Sequence, residues 1–139
     1  MPDVGGRPVL PLGGPVNASC LYCEEDDGWM TFTTDELGFN NPPGAADDAE
    51  VVIVGDSYVQ GACVGTGFSF ADRMRERGRG VYALGTGGAG PLTHLGMIVE
   101  HLDRLRPSVV AWVHTASNDL TLPNRPYGDL DIEMWSAPL

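Results

Sequence analysis

The chain has 139 residues, enough for one domain with a buried core, and its 19 acidic and 8 basic side chains give it a net charge of −11. A protein with this negative charge repels phosphate groups, so we expect neither nucleic acid nor an anionic membrane surface as a partner. All 8 basic residues are arginines, which excludes a P-loop lysine, a Schiff-base lysine and a lysine general base. No apolar run approaches the length of a membrane span, so no membrane segment is expected in this chain.

The first 45 residues predict an extended N-terminal arm. Residues 1–19 are rich in Gly and Pro and show no periodicity. Residues 29–33, Trp-Met-Thr-Phe-Thr, predict a short strand on the outside of a core. An acidic linker, residues 45–50, leads into the predicted main domain, residues 46–139.

Residues 46–139 alternate between buried-strand and helix patterns. The predicted elements are, in chain order, a strand at 51–54, a helix from the Thr66 cap to the Gly78 stop, a strand at 81–84, a helix from Pro91 to Pro107 and a strand at 109–114. Alternation with short turns predicts right-handed crossovers and a parallel sheet covered by helices on both faces. The predicted fold class is therefore α/β.

Chemistry-bearing residues follow each predicted strand. If the strand order is 2-1-3, Ser57 at the end of the first strand lies between the loop that carries Gly88 and the loop that carries Asn118. Three groups would then meet at one edge of the sheet: a hydroxyl, a backbone N–H and a carboxamide. The backbone N–H is easily approached because glycine has no side chain. Enzymes that catalyse acyl transfer use these groups: a serine attacks an ester, and N–H donors stabilise the oxyanion. The alternative is that Asp56 and Ser57 only stabilise a turn by bonding to nearby backbone, and for Asp56 we expect that role.

Three short motifs resemble the first three sequence blocks of the SGNH/GDSL hydrolases: GDSY at 55–58, ALGTGGAG at 83–90 and SND at 117–119. The likeness extends over residues 20–122 and includes TDELGFNNP at 34–42 and GACV at 61–64. By this resemblance Ser57 is the nucleophile and gives one oxyanion N–H, Gly88 gives a second N–H, and Asn118 gives a third donor. It also implies a three-layer α/β/α fold with a flavodoxin-like sheet. The substrates implied are O-acyl esters, short-chain ones such as acetyl esters of carbohydrates among them.

The sequence departs from the family pattern in three places. Ala116 and Ser117 occupy the first two positions of a block that usually reads Gly-x-Asn-Asp, and Ala83 stands where Asn is common. The Asp-x-x-His block, which supplies the base and its orienting acid, does not occur after Asp119. Without a base a serine hydroxyl is a weak nucleophile. Two interpretations follow: the chain is the N-terminal part of a longer enzyme, or it is a truncated relative that binds without turnover.

The histidines and cysteines are the remaining reactive side chains. His94 and His114 lie near the predicted site edge and His101 lies mid-helix, but a histidine in such a position is more often structural than a base. An isolated C-x-x-C, at Cys20 and Cys23, is weak evidence for zinc, and the sequence predicts neither a metal nor a cofactor. Cys23 and Cys63 are candidates for a disulfide, which would require an oxidising, extracytoplasmic compartment.

Two other functions are compatible with parts of the pattern. Gly85, Gly87 and Gly90 match G-x-G-x-x-G and would indicate a dinucleotide site, although this loop follows the second strand instead of the first. A non-catalytic carbohydrate-binding relic of the same fold would use Trp112, Tyr58 or Trp135 as sugar contacts. A sheet that stops after three strands would also leave an edge exposed beside residues 109–114, which predicts self-association.

Overall fold

The computed structural model describes residues 3–4, 7–8, 12–25 and 28–115. The described elements are, in chain order, β1 (Asp3–Val4), β2 (Arg7–Pro8), β3 (Ser19–Glu25), β4 (Gly28–Thr33), β5 (Val51–Gly55), α1 (Ser57–Gln60), α2 (Phe70–Arg75), β6 (Val81–Gly85), α3 (Pro91–Leu105) and β7 (Val109–Trp112). This mixture of a parallel sheet with helices confirms the α/β class predicted from the sequence.

The central sheet has the order β6-β5-β7, and both of its strand pairs are parallel. The first main-domain strand therefore lies between the second and the third, as the order 2-1-3 predicts. Gly55 pairs with Gly85, and Val54 pairs with Trp112. The carboxyl ends of the strands thus meet at one edge of the sheet.

The sheet separates two apolar clusters. Strands β5 and β6 are continuous apolar runs because both of their faces are buried. One cluster contains the side of the sheet that packs against α3, with Val52, Val54, Tyr82, Leu84, Met97 and Leu105 among its members. The other contains the side that packs against α1 and α2, with Ile53, Val59, Ala71, Val81 and Ala83. Helix α3 therefore packs on one side of β5 and β6, and α1 and α2 pack on the other, whereas three of the four residues of β7 are exposed.

The helix termini follow local sequence signals. Pro91 begins α3, and Arg106 ends it in a left-handed conformation, as expected from the run between Pro91 and Pro107. The predicted Thr66 cap is wrong, because α2 begins after Ser69. The Ser69 side chain accepts from the backbone N–H of Asp72, and Asp72 bonds back to Ser69, which forms a capping box. A reciprocal pair of bonds satisfies more backbone donors than a lone Thr66 hydroxyl would.

The N-terminal region is more structured than an extended arm. The predicted strand at 29–33 is confirmed as β4, and it pairs with the antiparallel strand β3, which the sequence pattern does not predict. Strands β1 and β2 form a second small antiparallel pair. Phe39 and Ala46 are buried in the α3-side cluster, so the segment after the hairpin contributes to the main core. The division of the chain near residue 45 stays a prediction.

A buried polar network joins this segment to β6. The Asp35 carboxylate accepts from the backbone N–H groups of Leu37 and Phe39, from the Asn41 amide and from the Tyr82 hydroxyl. Burial, and then the hydrogen bond to Asp35, raise the pKa of Tyr82 well above its ordinary value. The network fixes residues 35–41 against the outer edge of the sheet.

None of the helices in the described part of the chain has the length and apolar character to cross a bilayer.

Candidate functional site

Ser57 is the first residue of α1, immediately beyond the carboxyl end of β5. The helix is one turn long, and Asp56 is its N-cap: the carboxylate accepts from the Tyr58 backbone N–H at 3.0 Å. Asp56 is only 1% exposed. It therefore has the turn-stabilising role that the sequence predicts.

The described part of the fold uses only the carbonyl oxygen of Ser57. Its carbonyl oxygen accepts from the backbone N–H of Ala62 at 3.0 Å and from that of Gly61. Within residues 12–25 and 28–115, no group bonds to its backbone N–H or to its hydroxyl. The side chain is half-buried, so it is held in position by α1 and still reachable.

Gly88 lies in the loop that follows β6. The Ala89 N–H donates to the Thr86 carbonyl oxygen at 3.1 Å, which closes a four-residue turn with Gly88 at its third position. Gly88 has a φ of 76°, as a type II turn requires there, and this favours glycine. The glycine is thus needed for backbone conformation as well as for an open approach.

The loops of Ser57 and Gly88 begin at neighbouring strand ends. Gly55 and Gly85 pair in register, and the Thr86 N–H donates to the Gly55 carbonyl oxygen at 3.4 Å. Ser57 is two residues beyond Gly55, and Gly88 is three residues beyond Gly85. The structure therefore brings these two predicted site residues to the same part of the sheet edge. Asn118, with Ser117 and Asp119, lies outside the described residues, and its role stays a prediction.

Two other glycines of this loop are explained by close contacts. A Cβ atom at Gly85 would collide with the backbone of Val59 and Gln60, so Gly85 allows α1 to pack directly on β6. A Cβ atom at Gly87 would collide with the Tyr22 hydroxyl. The hairpin β3–β4 therefore reaches the candidate site through Tyr22, a residue that the sequence did not single out for this place.

A β-bulge explains how Tyr22 reaches Gly87. The register of the hairpin shifts between Leu21 and Cys23, so Tyr22 is the extra residue on β3. An extra residue changes the alternation of side chains along a strand. As a result Tyr22 packs on Phe32 at 6.2 Å between ring centroids, and the adjacent Cys23 is still directed toward the main domain.

Cys23 forms a disulfide with Cys63, in the loop after α1. This bond was one of the alternatives predicted from the sequence, and Cys20 is the free thiol. It attaches the hairpin to the chain six residues beyond Ser57. A disulfide is compatible with an extracytoplasmic location.

Gln60, at the end of α1, has an acceptor that the described fold does not use. Its side-chain Oε1 is buried and has no hydrogen-bond partner among the described residues. This oxygen lies 3.2 Å from the place of a Cβ atom at Gly87. It adds a polar atom to the space between α1, Tyr22 and the glycine loop.

The described histidines differ in their surroundings. His94 is fully buried, and its Nδ1 accepts from the indole N–H of Trp112 at 3.1 Å, so its neutral ring carries the proton on Nε2. His101 packs edge-on against Phe39, and burial lowers the pKa of His101 below its ordinary value. His114 is exposed and stacks on Trp112 at 4.8 Å. His94, His101 and His114 thus each contact an aromatic ring, and of these three histidines only His114 is exposed.

Two of the proposed sugar-contacting aromatics are exposed. Tyr58 is 64% exposed next to Ser57, and Trp112 is 41% exposed at the end of β7. Trp135 lies outside the described residues. In the described part of the chain, no three His, Cys, Asp or Glu side chains are grouped as a metal site would require.

No protein-family model, no curated protein and no solved structure matches this chain.

Proposed function

We propose that this chain is the nucleophile-bearing part of a serine esterase that acts on short-chain O-acyl esters through an acyl-serine intermediate. The observation that carries the proposal is the state of Ser57, whose N–H and hydroxyl have no partner among the described residues although the residue is fixed at the start of a helix. A serine that served only the turn would use one of these groups in it. Asp56 alone makes the turn bond.

The oxyanion donors in this proposal are the N–H of Ser57, the N–H of Gly88 and the Asn118 side chain. The parallel pairing of Gly55 with Gly85 supports the first two, because it brings both loops to one strand edge. Preplaced donors of this kind each contribute roughly 10²- to 10³-fold to turnover. The role of Asn118 as a donor rests on the sequence motif only.

The reaction proceeds in two balanced steps. The Ser57 oxygen attacks the ester carbonyl carbon, a base takes the hydroxyl proton, and the bond to the alcohol breaks as the alcohol leaves with that proton. Water then attacks the acyl-serine in the same manner and releases the acid. The resemblance to SGNH/GDSL hydrolases implies an Asp-x-x-His pair as the base and its acid. Since the sequence has no such pair after Asp119, we propose that the chain alone turns over slowly.

The same proposal includes the finer fold, a three-layer α/β/α domain with a flavodoxin-like sheet. Support comes from the order β6-β5-β7 and from the two apolar clusters on opposite faces of the sheet. The carboxyl edge of such a sheet is where ligands bind. The disulfide between Cys23 and Cys63 supports an extracytoplasmic location.

The glycine contacts weigh against a dinucleotide site. In a G-x-G-x-x-G loop the glycines leave space for a pyrophosphate to approach the backbone. Here the space beside Gly85 is filled by the backbone of α1, and the space beside Gly87 is filled by Tyr22. The chain's own packing therefore accounts for both residues.

The test is the hydrolysis of 4-nitrophenyl acetate by the 139-residue chain, with and without added imidazole as a replacement base. We expect little turnover without imidazole and, with it, a rate above that of imidazole alone. Ser57→Ala should remove this excess. Ser108→Ala, which removes an exposed hydroxyl just before β7, should keep it. An absent excess, or one that survives in Ser57→Ala, would contradict the proposal.

A further inference from the structure

The hairpin formed by β3 and β4 is not held in place by the hydrophobic core. In the described part of the chain, its two strands form a sheet of their own and pair with no strand of the central sheet. Of the hairpin residues 19–24 and 28–33, none belongs to either apolar cluster. Burial of apolar surface is the main force that fixes one element on another. The position of the hairpin on the main domain therefore depends on other bonds.

Hydrogen bonds fix the base of the hairpin. The Thr34 N–H donates to the Ala18 carbonyl oxygen at 2.9 Å, and the Ala18 N–H donates to the Thr34 hydroxyl oxygen at 2.9 Å. The next residue, Asp35, belongs to the buried network that joins this segment to β6. The distal half of the hairpin is attached differently, by the disulfide from Cys23 to Cys63. This bond ties the strand to the loop after α1.

The disulfide determines where Tyr22 lies. Tyr22 is adjacent to Cys23, and its hydroxyl occupies the space that a Cβ atom of Gly87 would need. Gly87 directly precedes Gly88 in the glycine loop that follows β6. Tyr22 is 40% exposed, so its contact with the loop depends on the position of the hairpin more than on burial. The covalent bond thus holds the glycine loop through one aromatic side chain.

Helix α1 is fixed independently of the disulfide. The Ser57 carbonyl oxygen accepts from the Ala62 N–H at 3.0 Å. The Gln60 carbonyl oxygen accepts from the Asn40 side-chain amide at 2.8 Å. Both bonds lie on the α1 side of Cys63 and do not involve the hairpin. Loss of the disulfide should therefore leave Ser57 in place and loosen the glycine loop.

The disulfide is open to attack by a thiol. Cys63 is exposed and Cys23 is half-buried. One thiolate of a dithiol reductant attacks the Cys63 sulfur, and the Cys23 thiolate leaves and takes up a proton. The second thiol of the reductant then attacks the mixed disulfide and releases Cys63 as a thiol. The protein disulfide is reduced to two thiols, and the dithiol is oxidised to a disulfide.

We propose that the bond between Cys23 and Cys63 is a redox-sensitive clamp that fixes the glycine loop through Tyr22. In the oxidised chain the clamp holds the loop, and with it the Gly88 N–H, in one position. In the reduced chain the distal half of the hairpin moves away and the loop opens. An oxidising compartment sets the clamp. Control of ester hydrolysis by the clamp rests on the proposed function, in which Gly88 is an oxyanion donor; the clamping of the loop does not.

The experiment compares amide hydrogen exchange, measured by NMR, in the oxidised chain and in the chain reduced with dithiothreitol. The reporters are the amides of Thr86 and Ala89, whose bonds to the carbonyl oxygens of Gly55 and Thr86 form the loop. We expect them to exchange about tenfold faster after reduction, within the range of coupling between residues in contact. The amides of β5 and α3 should keep their rates, which also shows that the reduced chain is folded.

Three variants test the route through Tyr22. Tyr22→Ala should accelerate exchange at Thr86 and Ala89 in the oxidised chain, and reduction should then add little. Trp29→Ala removes an exposed aromatic ring from the same hairpin, and it should respond to reduction as the unaltered chain does. Cys20→Ser, which removes the free thiol, should do the same.

Two results would overturn the clamp. One is exchange at the reporter amides that reduction leaves unchanged or that rises equally throughout the chain. The other is an acceleration on reduction that Tyr22→Ala does not diminish.

Control of hydrolysis is measured separately with the double variant Cys23→Ser, Cys63→Ser, because thiol reductants themselves cleave 4-nitrophenyl acetate. With imidazole present, the excess rate that depends on Ser57 should fall in this variant, by at most the roughly 10²-fold effect of one lost oxyanion donor. An unchanged excess would refute control of hydrolysis by the clamp. An excess that is absent already in the oxidised chain would refute the proposed function, while the exchange rates would still decide whether the clamp exists.

Discussion

The side-chain amide of Asn41 bonds to both backbone groups of Ala83. Asn41 Nδ2 donates to the Ala83 carbonyl oxygen at 3.1 Å, and the Ala83 N–H donates to Asn41 Oδ1 at 2.8 Å. Beside it, Arg75 Nε donates to the Val81 carbonyl oxygen at 2.9 Å. These side chains occupy the place where another strand would pair with β6. One edge of the sheet is therefore closed by side chains, which is a known way to prevent unwanted strand pairing.

Removing this closure should destabilise the chain. Asn41→Ala leaves the buried Ala83 N–H and carbonyl without partners and takes a donor from Asp35. We expect the free energy of unfolding to fall by about 3 kcal/mol, because unsatisfied buried groups are costly. Urea denaturation measures it. Asn40→Ala, which removes one bond to the Gln60 carbonyl oxygen, should cost only about 1 kcal/mol. Equal losses in the two variants would contradict this role of Asn41.

The opposite edge of the sheet should drive self-association. Among the described residues no strand pairs with the outer side of β7, and Val109 in it is 53% exposed. We expect sedimentation to show association that increases with concentration. Val109→Lys should reduce it, since a charge on an edge strand opposes pairing. Val99→Lys, at a 73% exposed position on α3, is the matched control and should not. A chain that remains monomeric at all concentrations would refute the prediction.

Tyr82 should make the stability sensitive to alkaline pH. Burial and the bond to Asp35 raise the pKa of Tyr82 in the folded chain above the ordinary value of 10.0. The folded state then holds the phenol proton more tightly than the unfolded state does. The contribution of Tyr82 to the free energy of unfolding is therefore complete at pH values below this ordinary pKa. The free energy of unfolding should fall as pH rises above it. Denaturation at a series of pH values measures this fall. Tyr82→Phe should remove most of this loss of stability at alkaline pH, while Tyr58→Phe, at an exposed tyrosine, should not change it. An unchanged loss of stability in Tyr82→Phe would show that another group causes it.

The contact between Tyr22 and Gly87 should appear as coupling between two substitutions. Gly87→Ala adds a methyl group where the Tyr22 hydroxyl lies, and overpacking of this kind costs about 1–3 kcal/mol. In a Tyr22→Ala background the same change should cost much less, and this double-mutant cycle is measured by urea denaturation. Gly65→Ala, whose Cβ would meet no described residue more closely than Phe68 at 3.7 Å, should be nearly neutral. If the losses in free energy of unfolding from the two substitutions were additive, Tyr22 and Gly87 would not be in contact.

The predictable parts of the fold are those determined by local pattern. Strands β5 and β6 are buried on both faces, so they read as unbroken apolar runs. Helix α3 has a proline at its start and apolar residues at helical spacing. For α2 the correct signal, Ser69 followed by Asp72, was present in the sequence as a capping box. Thr66, the other candidate cap in this loop, does not cap the helix.

The parts that were not predicted depend on distant contacts. Asn41 lies in an Asn-Asn-Pro-Pro stretch that is typical of a turn, and its role at the sheet edge exists only once β6 is formed. Tyr22 reaches Gly87 because of a bulge in β3, and the partner strand β3 has no regular alternation. Of the candidate site, the sequence supplied Ser57 and Gly88, which lie on neighbouring loops. It did not supply the contact of the hairpin with the glycine loop.

The central claim is that Ser57 forms an acyl intermediate, and the most direct measurement is peptide mapping by mass spectrometry after exposure to 4-nitrophenyl acetate and imidazole. We expect one acetyl group per chain, located on Ser57. The Ser57→Ala variant should not gain one acetyl group per chain. Ser108→Ala should be acetylated as the unaltered chain is. Acetyl groups spread over other side chains, with the same total in Ser57→Ala, would contradict the assignment of Ser57 as the nucleophile.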